Sequence, residues 1–352
     1  MAELPPRETT TVSRLYDALE AGQESGFRRH LGASLLGGEC RRALWFTFRW
    51  ATRARHSGHT LRLFRRGQLE EAQLVADLRA AGIEVQDRDP ETGRQFYFSD
   101  VGGHVGGSMD AQALGLEEAP KTLHVLEFKT HNLKSFRALQ DKGVKAAKPE
   151  HWFQMQLYMK WSGLKRAAYI AVSKDNDDIY LERIHYDANA ADVLVAKARL
   201  VVESPTPLER ISEKPEFYLC KWCNHRGVCH EGALPEVTCR SCAHSTPALD
   251  GNARWVCEKY QVDIPPEMAE RGCHQHVYIP ALVPWTQVDA NPVENWVEYR
   301  LPGGECLRNG SRESNAFESG ELLAAHHAGD VRILLDGFVQ EVREQLGGRV
   351  TG

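Results

Sequence analysis

No stretch of the 352-residue chain strings together the roughly 20 apolar residues that a bilayer-crossing helix needs. The opening residues, MAELPPRETTT, also lack the charged-then-apolar pattern of a secretory leader. Both absences lead to the expectation of a cytoplasmic protein with no membrane partner. Internal repeats, low-complexity tracts and a glycine-rich fingerprint after a strand are missing too, which argues against solenoids and dinucleotide-dependent redox enzymes. So is bulk positive charge. Lys+Arg 43 against Asp+Glu 48 gives a formal net charge of -5, so the chain does not coat nucleic acid through an overall basic surface. Cysteine is nearly absent from the N-terminal half, where Cys40 stands alone.

A hydrophobic fraction of 42% with 26% charged residues suffices for one large or two modest cores. Nine cysteines are many for a cytosolic enzyme, and seven of them fall between Cys220 and Cys273. In a reducing compartment that crowding points to metal rather than to disulfides. Local charge also departs from the bulk value. Residues 41–66 hold eight arginines and no acid, and residues 129–148 hold six Lys/Arg against Asp141. Either run could follow a phosphate backbone, or be a solvated face.

Periodicity predicts a short helix within the first thirty residues and an aromatic, arginine-studded segment at 31–50. A helix follows at 65–82, its stripe formed by Leu69, Ala72, Val75 and Leu78 and its end by Gly82. Strands are expected at 95–98, 108–113 and 123–128, in an antiparallel meander, then a helix at 151–163 and strands at 168–172 and 179–185. Another helix is expected at 188–203, and Pro205, Pro207 and Pro215 mark a joint before the cysteine-rich region. A strand at 296–301, a Gly303–Gly304 turn and helical stretches at 318–326 and 331–347 suggest a small appendix.

The most informative constellation is Asp110 in GGSMDA followed by Glu127 and Lys129 in LEFKT. Strand alternation puts Glu127 and Lys129 on one face and Phe128 on the other, and a neighbouring strand could bring Asp110 beside them. Two carboxylates that meet repel unless a divalent cation neutralises them, and hard oxygen donors favour magnesium or manganese. A plain ion pair between Glu127 and Lys129 on an edge strand is the competing reading.

With RGQLEE upstream and QMQLY downstream, this ordered set resembles the RecB-like branch of the PD-(D/E)xK nuclease superfamily, which includes CRISPR-associated RecB-like exonucleases, the AddB nuclease domain and phage exonucleases. The resemblance covers about residues 30 to 230. It implies Glu71, four residues after Gly67, as the acid of the first core helix, where this branch carries His or Glu. Glu70 is the competitor, about 100° away on a helix. It implies catalytic roles for Glu71, Asp110, Glu127, Lys129, Gln154 and Tyr158, the last two as the Q-x3-Y element. Glu71, Asp110, Glu127 and Phe128 would surround the Mg2+ or Mn2+. The expected fold is α/β: a restriction-endonuclease-like core, with a central mixed β-sheet flanked by helices, followed by a C-terminal cysteine-rich metal-binding segment and a small α+β appendix. The expected divisions are 1–235, 236–280 and 281–352.

Cys220-x2-Cys223-x5-Cys229 resembles the three-cysteine element of the iron–sulfur members of the branch, and Cys40 would be their distant fourth ligand. The resemblance thus implies a 4Fe–4S cluster, with zinc as the alternative for the same thiolates. Cys239-x2-Cys242 with Cys257 and Cys273 suits a ribbon-type structural Zn2+, in which His276 or His244 could replace one thiolate. Cys306, in a glycine-rich turn, reads as a simple thiol. Trp45, Phe46, Phe48 and Trp50 are either core or base-stacking residues. Taken together, the expectation is a metal-dependent exonuclease acting on DNA ends in phage-type recombination or repair. A non-catalytic iron–sulfur and zinc nucleic-acid-binding module is the rival.

Overall fold

The structure, a computed structural model, describes residues 9–23 and 26–351. The lead-in expected before the first helix lies largely outside the described residues. The chain is mixed α/β and divides into two compact units, one formed by residues 1–26, 54–98 and 107–194, the other by 27–53, 99–106 and 195–352.

In the first unit, helix α1 (Thr11–Ala21) is closed by a capping box between Thr10 and Ser13. Helix α2 (Gly58–Ala80) starts where the Ser57 hydroxyl accepts from the Thr60 N–H, and Gly82 follows its end with φ +84°. Strands β1 (Glu84–Gln86), β2 (Ala111–Leu114), β3 (His124–His131), β4 (Arg166–Ser173) and β5 (Ile179–His185) then form one sheet in chain order. Pairing is antiparallel except between β3 and β4, which run parallel in the register Glu127↔Tyr169 and Lys129↔Ala171. A parallel pair needs a crossover. Helices α3 (Leu133–Ala147) and α4 (Pro149–Ser162) provide it. The chain turns inside α3 at Gly143, φ +73°, where the next N–H, that of Val144, donates to Glu182 Oε2 at 2.7 Å. Leu74 and Val75 of α2 pack with Val85, Ala111, Leu126, Phe128, Ala168 and Ile170 of the sheet.

Several expectations are corrected. The stripe of α2 does not run through Leu69, which is 65% exposed, or through Ala72, also exposed. Steps of three residues drift by about 60° on a helix, so Leu69 lies some 120° from Val75. Residues 108–113 are not one strand: Val105–Ser108 and β2 belong to different sheets, and Met109–Asp110 is the break between them. The sheet is no simple meander, since β3 and β4 are parallel, and α3 was not anticipated at all.

The second unit holds helix Arg41–Phe48, whose Trp45, Phe46 and Phe48, with Trp50 beyond, are at most 2% exposed; these rings are core. The expected helix at 188–203 is present as Ala188–Glu203, and the chain passes from the first unit into the second within it. Downstream, Ser245–Pro247, Trp255–Cys257 and Val262–Asp263 form an antiparallel sheet, and Thr286–Asn291, Trp296–Arg300 and Cys306–Gly310 form another. Cys306 therefore opens a strand instead of sitting in a turn. Leu234, Val277, Tyr278, Val283, Tyr299, Leu307 and Leu322 share one core. That packing crosses both expected division points, 235 and 280.

Candidate active site

The alternation expected for LEFKT holds on β3. Leu126 and Phe128 enter the apolar core under α2, leaving Glu127 and Lys129 for the opposite face. Because β3 is the central strand, the Glu127–Lys129 pair is not an edge-strand ion pair. Glu127 is fully buried. Its Oε1 accepts from the Lys129 ammonium, while Oε2 is buried with no hydrogen-bond partner. Burial, with the Asp110 charge adding to it, pushes Glu127 up to about 8 against the pull of Lys129. Burial lowers Lys129, but Glu127 and Asp110 outweigh it and hold the ammonium above its ordinary value.

Asp110 sits at the strand break, where its Oδ2 accepts from the Phe128 N–H at 2.9 Å. A carboxylate on a strand would point with the pleat; one at a break can turn back onto the neighbouring strand. Burial raises its pKa as well. Glu71, on α2, is pushed up to about 7 by burial and then by Asp110. Of the two candidate glutamates, it is Glu71 that shares the field of Asp110 and Lys129. On α4, Gln154 and Tyr158 are both buried. The Tyr158 hydroxyl donates to the Ser108 carbonyl at 2.7 Å, Gln154 Nε2 donates to it at 3.4 Å, and burial with Glu127 nearby keeps the phenol protonated.

One group of residues went unnoticed in the sequence. Tyr169, opposite Glu127 on β4, places its hydroxyl 2.8 Å from His131 Nε2 and 2.8 Å from His151 Nδ1, and Ser135 Oγ lies 3.2 Å from His131 Nδ1. Burial and the Lys148 and Lys129 charges keep both rings neutral, His131 at about 4 and His151 at about 3. The available signal was alternation, which puts His131 on the face of Glu127 and Lys129.

Among the described residues, no group of three or more His, Cys, Asp or Glu side chains is arranged, as they stand, to hold a metal ion. The donor chemistry of Glu71, Asp110 and Glu127 nevertheless suits a hard cation, and the partnerless Glu127 Oε2 is an oxygen that such an ion would satisfy.

In the second unit, Cys40 caps helix Arg41–Phe48, far in sequence from Cys220, Cys223 and Cys229. Its charge is nonetheless felt at Cys220 and Cys223, whose thiols are raised by burial first and by the other thiols of the set next. Cys239, Cys242, Cys257 and Cys273 line a cavity of about 30 Å³. Burial and the neighbouring thiols push Cys239 up to about 12, and burial leads the rise of Cys242 to about 11. His276 has both ring nitrogens engaged, Nδ1 with Ser319 Oγ at 2.7 Å and Nε2 with the Thr238 carbonyl at 3.0 Å. His244 Nε2 lies 2.5 Å from Asn295 Oδ1. All nine cysteines are free thiols.

No family model matches the chain, and no curated protein does. Solved structures with some likeness include the protein SSO0001, 16% identical with a TM-score of 0.38, over 63% of this chain and 96% of that one. An alkaline exonuclease from Laribacter hongkongensis is 15% identical with a TM-score of 0.36, over 54% of this chain and 90% of that one. A phage related exonuclease from Haemophilus somnus 129PT is 14% identical with a TM-score of 0.36, over 49% and 92%. Likenesses of this strength carry no weight for function, which has to come from the side chains. Among the described residues, no helix is long and apolar enough to cross a membrane.

Proposed function

We propose that the chain is a metal-dependent DNA nuclease of the PD-(D/E)xK type, an exonuclease that processes DNA ends in phage-type recombination or repair. The observation that carries this reading is Glu127: a fully buried carboxylate, beside a second one, with one oxygen lacking any donor. A structural ion pair would not leave such a deficit on the central strand, because an unpaired buried polar atom is costly.

Glu71, Asp110, Glu127 and the main chain of Phe128 would hold a magnesium or manganese ion, which supplies Lewis-acid polarisation of a phosphodiester and a water of lowered pKa. Lys129 would orient the attacking water. Gln154 and Tyr158 would brace the segment that carries Asp110 through the Ser108 carbonyl, and the neutral His131–Tyr169–His151 network would keep β3 and α4 in place. In the other unit, Cys40, Cys220, Cys223 and Cys229 would hold a 4Fe–4S cluster, and Cys239, Cys242, Cys257 and Cys273 a structural zinc ion. Free thiols raised by burial and by one another suit bound cations that relieve their mutual repulsion.

The test uses protein purified without oxygen, its visible spectrum and its iron and zinc content, then end-labelled single- and double-stranded DNA with magnesium or manganese. Wild type should degrade DNA from its ends, and Lys129→Ala should lose about a thousandfold or more in rate. Equal degradation by both proteins would refute the catalytic assignment. A colourless preparation holding only zinc would remove the cluster and leave the nuclease reading intact.

A further inference from the structure

The face of β3 that carries Glu127 and Lys129 continues to His131, and the face of α4 that carries Gln154 and Tyr158 begins at His151. Seven residues separate His151 from Tyr158, which sets them within about 20° of each other around the helix and about 10 Å apart along it. Tyr158 sits at the carboxylate end, where its hydroxyl meets the Ser108 carbonyl and it feels Glu127 and Asp110. His151 sits at the other end, against His131, with ring centroids 5.9 Å apart. Strand and helix therefore run side by side in opposite directions, and Lys129 lies between the carboxylates and the histidines. Lys129 and Lys148 are the charges that both rings feel, joined at His131 by Lys174. One end of the site is thus acidic and the other basic.

Hydrogen bonding at the basic end has a definite sense. The Tyr169 hydroxyl lies 2.8 Å from both His131 Nε2 and His151 Nδ1, and it has one proton to donate. If that proton goes to His151 Nδ1, His131 donates to the hydroxyl from Nε2 and accepts at Nδ1 from Ser135 Oγ, 3.2 Å away. Every group is then matched, both rings are neutral, and His151 carries its own proton on Nε2. In the reverse sense His151 Nε2 is a bare lone pair. That nitrogen has no hydrogen-bond partner among the described residues, and it is not among the polar atoms sealed away from solvent. His151 is only half-buried, so Nε2 is open to a ligand. A phosphate oxygen can only accept, which selects the first sense.

We infer that His151 is a further catalytic residue: its Nε2–H donates to a non-bridging oxygen of the scissile phosphate beside Lys129, while Tyr169, His131 and Ser135 are positioning residues that fix the ring and its tautomer. This rests on the nuclease reading and adds to it a neutral donor on the phosphate. A donor already aimed at the oxygen where charge grows stabilises the transition state more than the bound substrate.

The experiment measures single-turnover cleavage of a fluorescein-labelled oligonucleotide at saturating protein, its affinity by anisotropy without divalent ions, and thermal melting of each preparation. His151→Ala should cut about a hundredfold more slowly, the cost of removing one aimed donor, with affinity changed by less than about threefold. His151→Gln can put an amide N–H where Nε2–H was and should come back to within about tenfold of wild type; His151→Asn reaches only the place of Nδ1 and should stay as slow as alanine. Tyr169→Phe should cut on the order of tenfold more slowly, because the ring is no longer held. If His151→Ala fails to fold, the contrast between the glutamine and asparagine variants decides. A folded His151→Ala that cuts at the wild-type rate while Lys129→Ala does not cut, glutamine and asparagine variants that are equally slow, or a loss confined to affinity would each overturn this inference and leave the nuclease reading standing. A wild type that does not cut DNA would overturn both.

Discussion

The two units bury charge in opposite ways. In the second, Arg240 is 4% exposed, yet its guanidinium stacks on Trp50 at 3.9 Å and Trp255 at 4.7 Å and donates to the Arg29 carbonyl at 2.7 Å and the Phe48 carbonyl at 3.3 Å. Burial drags its pKa down to about 9 and its Nε has no hydrogen-bond partner, but the rings of Trp50, Trp255 and Phe48 and the two carbonyls take up the rest of the guanidinium. In the first unit, Glu127 is as deeply buried, has a single ammonium for company, and faces Asp110 and Glu71. The contrast teaches which buried charges are scaffold and which are site. A charge held by several aromatic faces and carbonyls braces the fold, and a carboxyl group with a single ammonium among other carboxyl groups is the one the proposed reading assigns to a cation.

The comparison breaks if Arg240 turns out dispensable. Arg240→Ala should cost about 3–5 kcal/mol in denaturant melting, from a cavity among three aromatic rings and two carbonyls left without donors. It should do so at every pH from 5 to 8. Next in size is the acid side. Glu127 has its folded pKa raised from 4.5 to about 8, so between these values the folded state holds more protons than the unfolded one. Metal-free protein should therefore lose stability as pH rises from about 5 to 8, by on the order of 2 kcal/mol. Glu127→Gln should flatten that slope and be the more stable protein at pH 8. A wild type that gains stability over this interval would contradict the assigned direction. The smallest effect sharpens the reading of α2: Leu69→Ala, on the exposed side, should change stability by no more than about 0.5 kcal/mol.

Much of the site was legible because strand alternation is a strict period of two. Glu127, Lys129 and, with more attention, His131 follow from it. The choice between Glu70 and Glu71 did not, since both lie on the inward half of α2 and only the tertiary positions of Asp110 and Lys129 separate them. Leu69 was misread because steps of three imitate a stripe while drifting off it. Helix α3 was hidden by its own composition: a basic run ending in a glycine break resembles a solvated loop more than a helix. Thr286–Asn291 is almost wholly exposed, so it carried no alternation to detect. The thiol groupings were suggested by CxxC spacing, but the approach of Cys40 to its distant partners depends on how the helix Arg41–Phe48 is held, which no local pattern encodes.

The central claim is that the deficit at Glu127 is a cation site. Titration of manganese into metal-depleted protein at pH 8, followed by calorimetry, addresses it directly. Wild type should bind the ion with release of protons, and both Glu127→Gln and Asp110→Asn should lose that binding while remaining folded. Undiminished manganese binding in these two variants, or none in the wild type, would contradict the account.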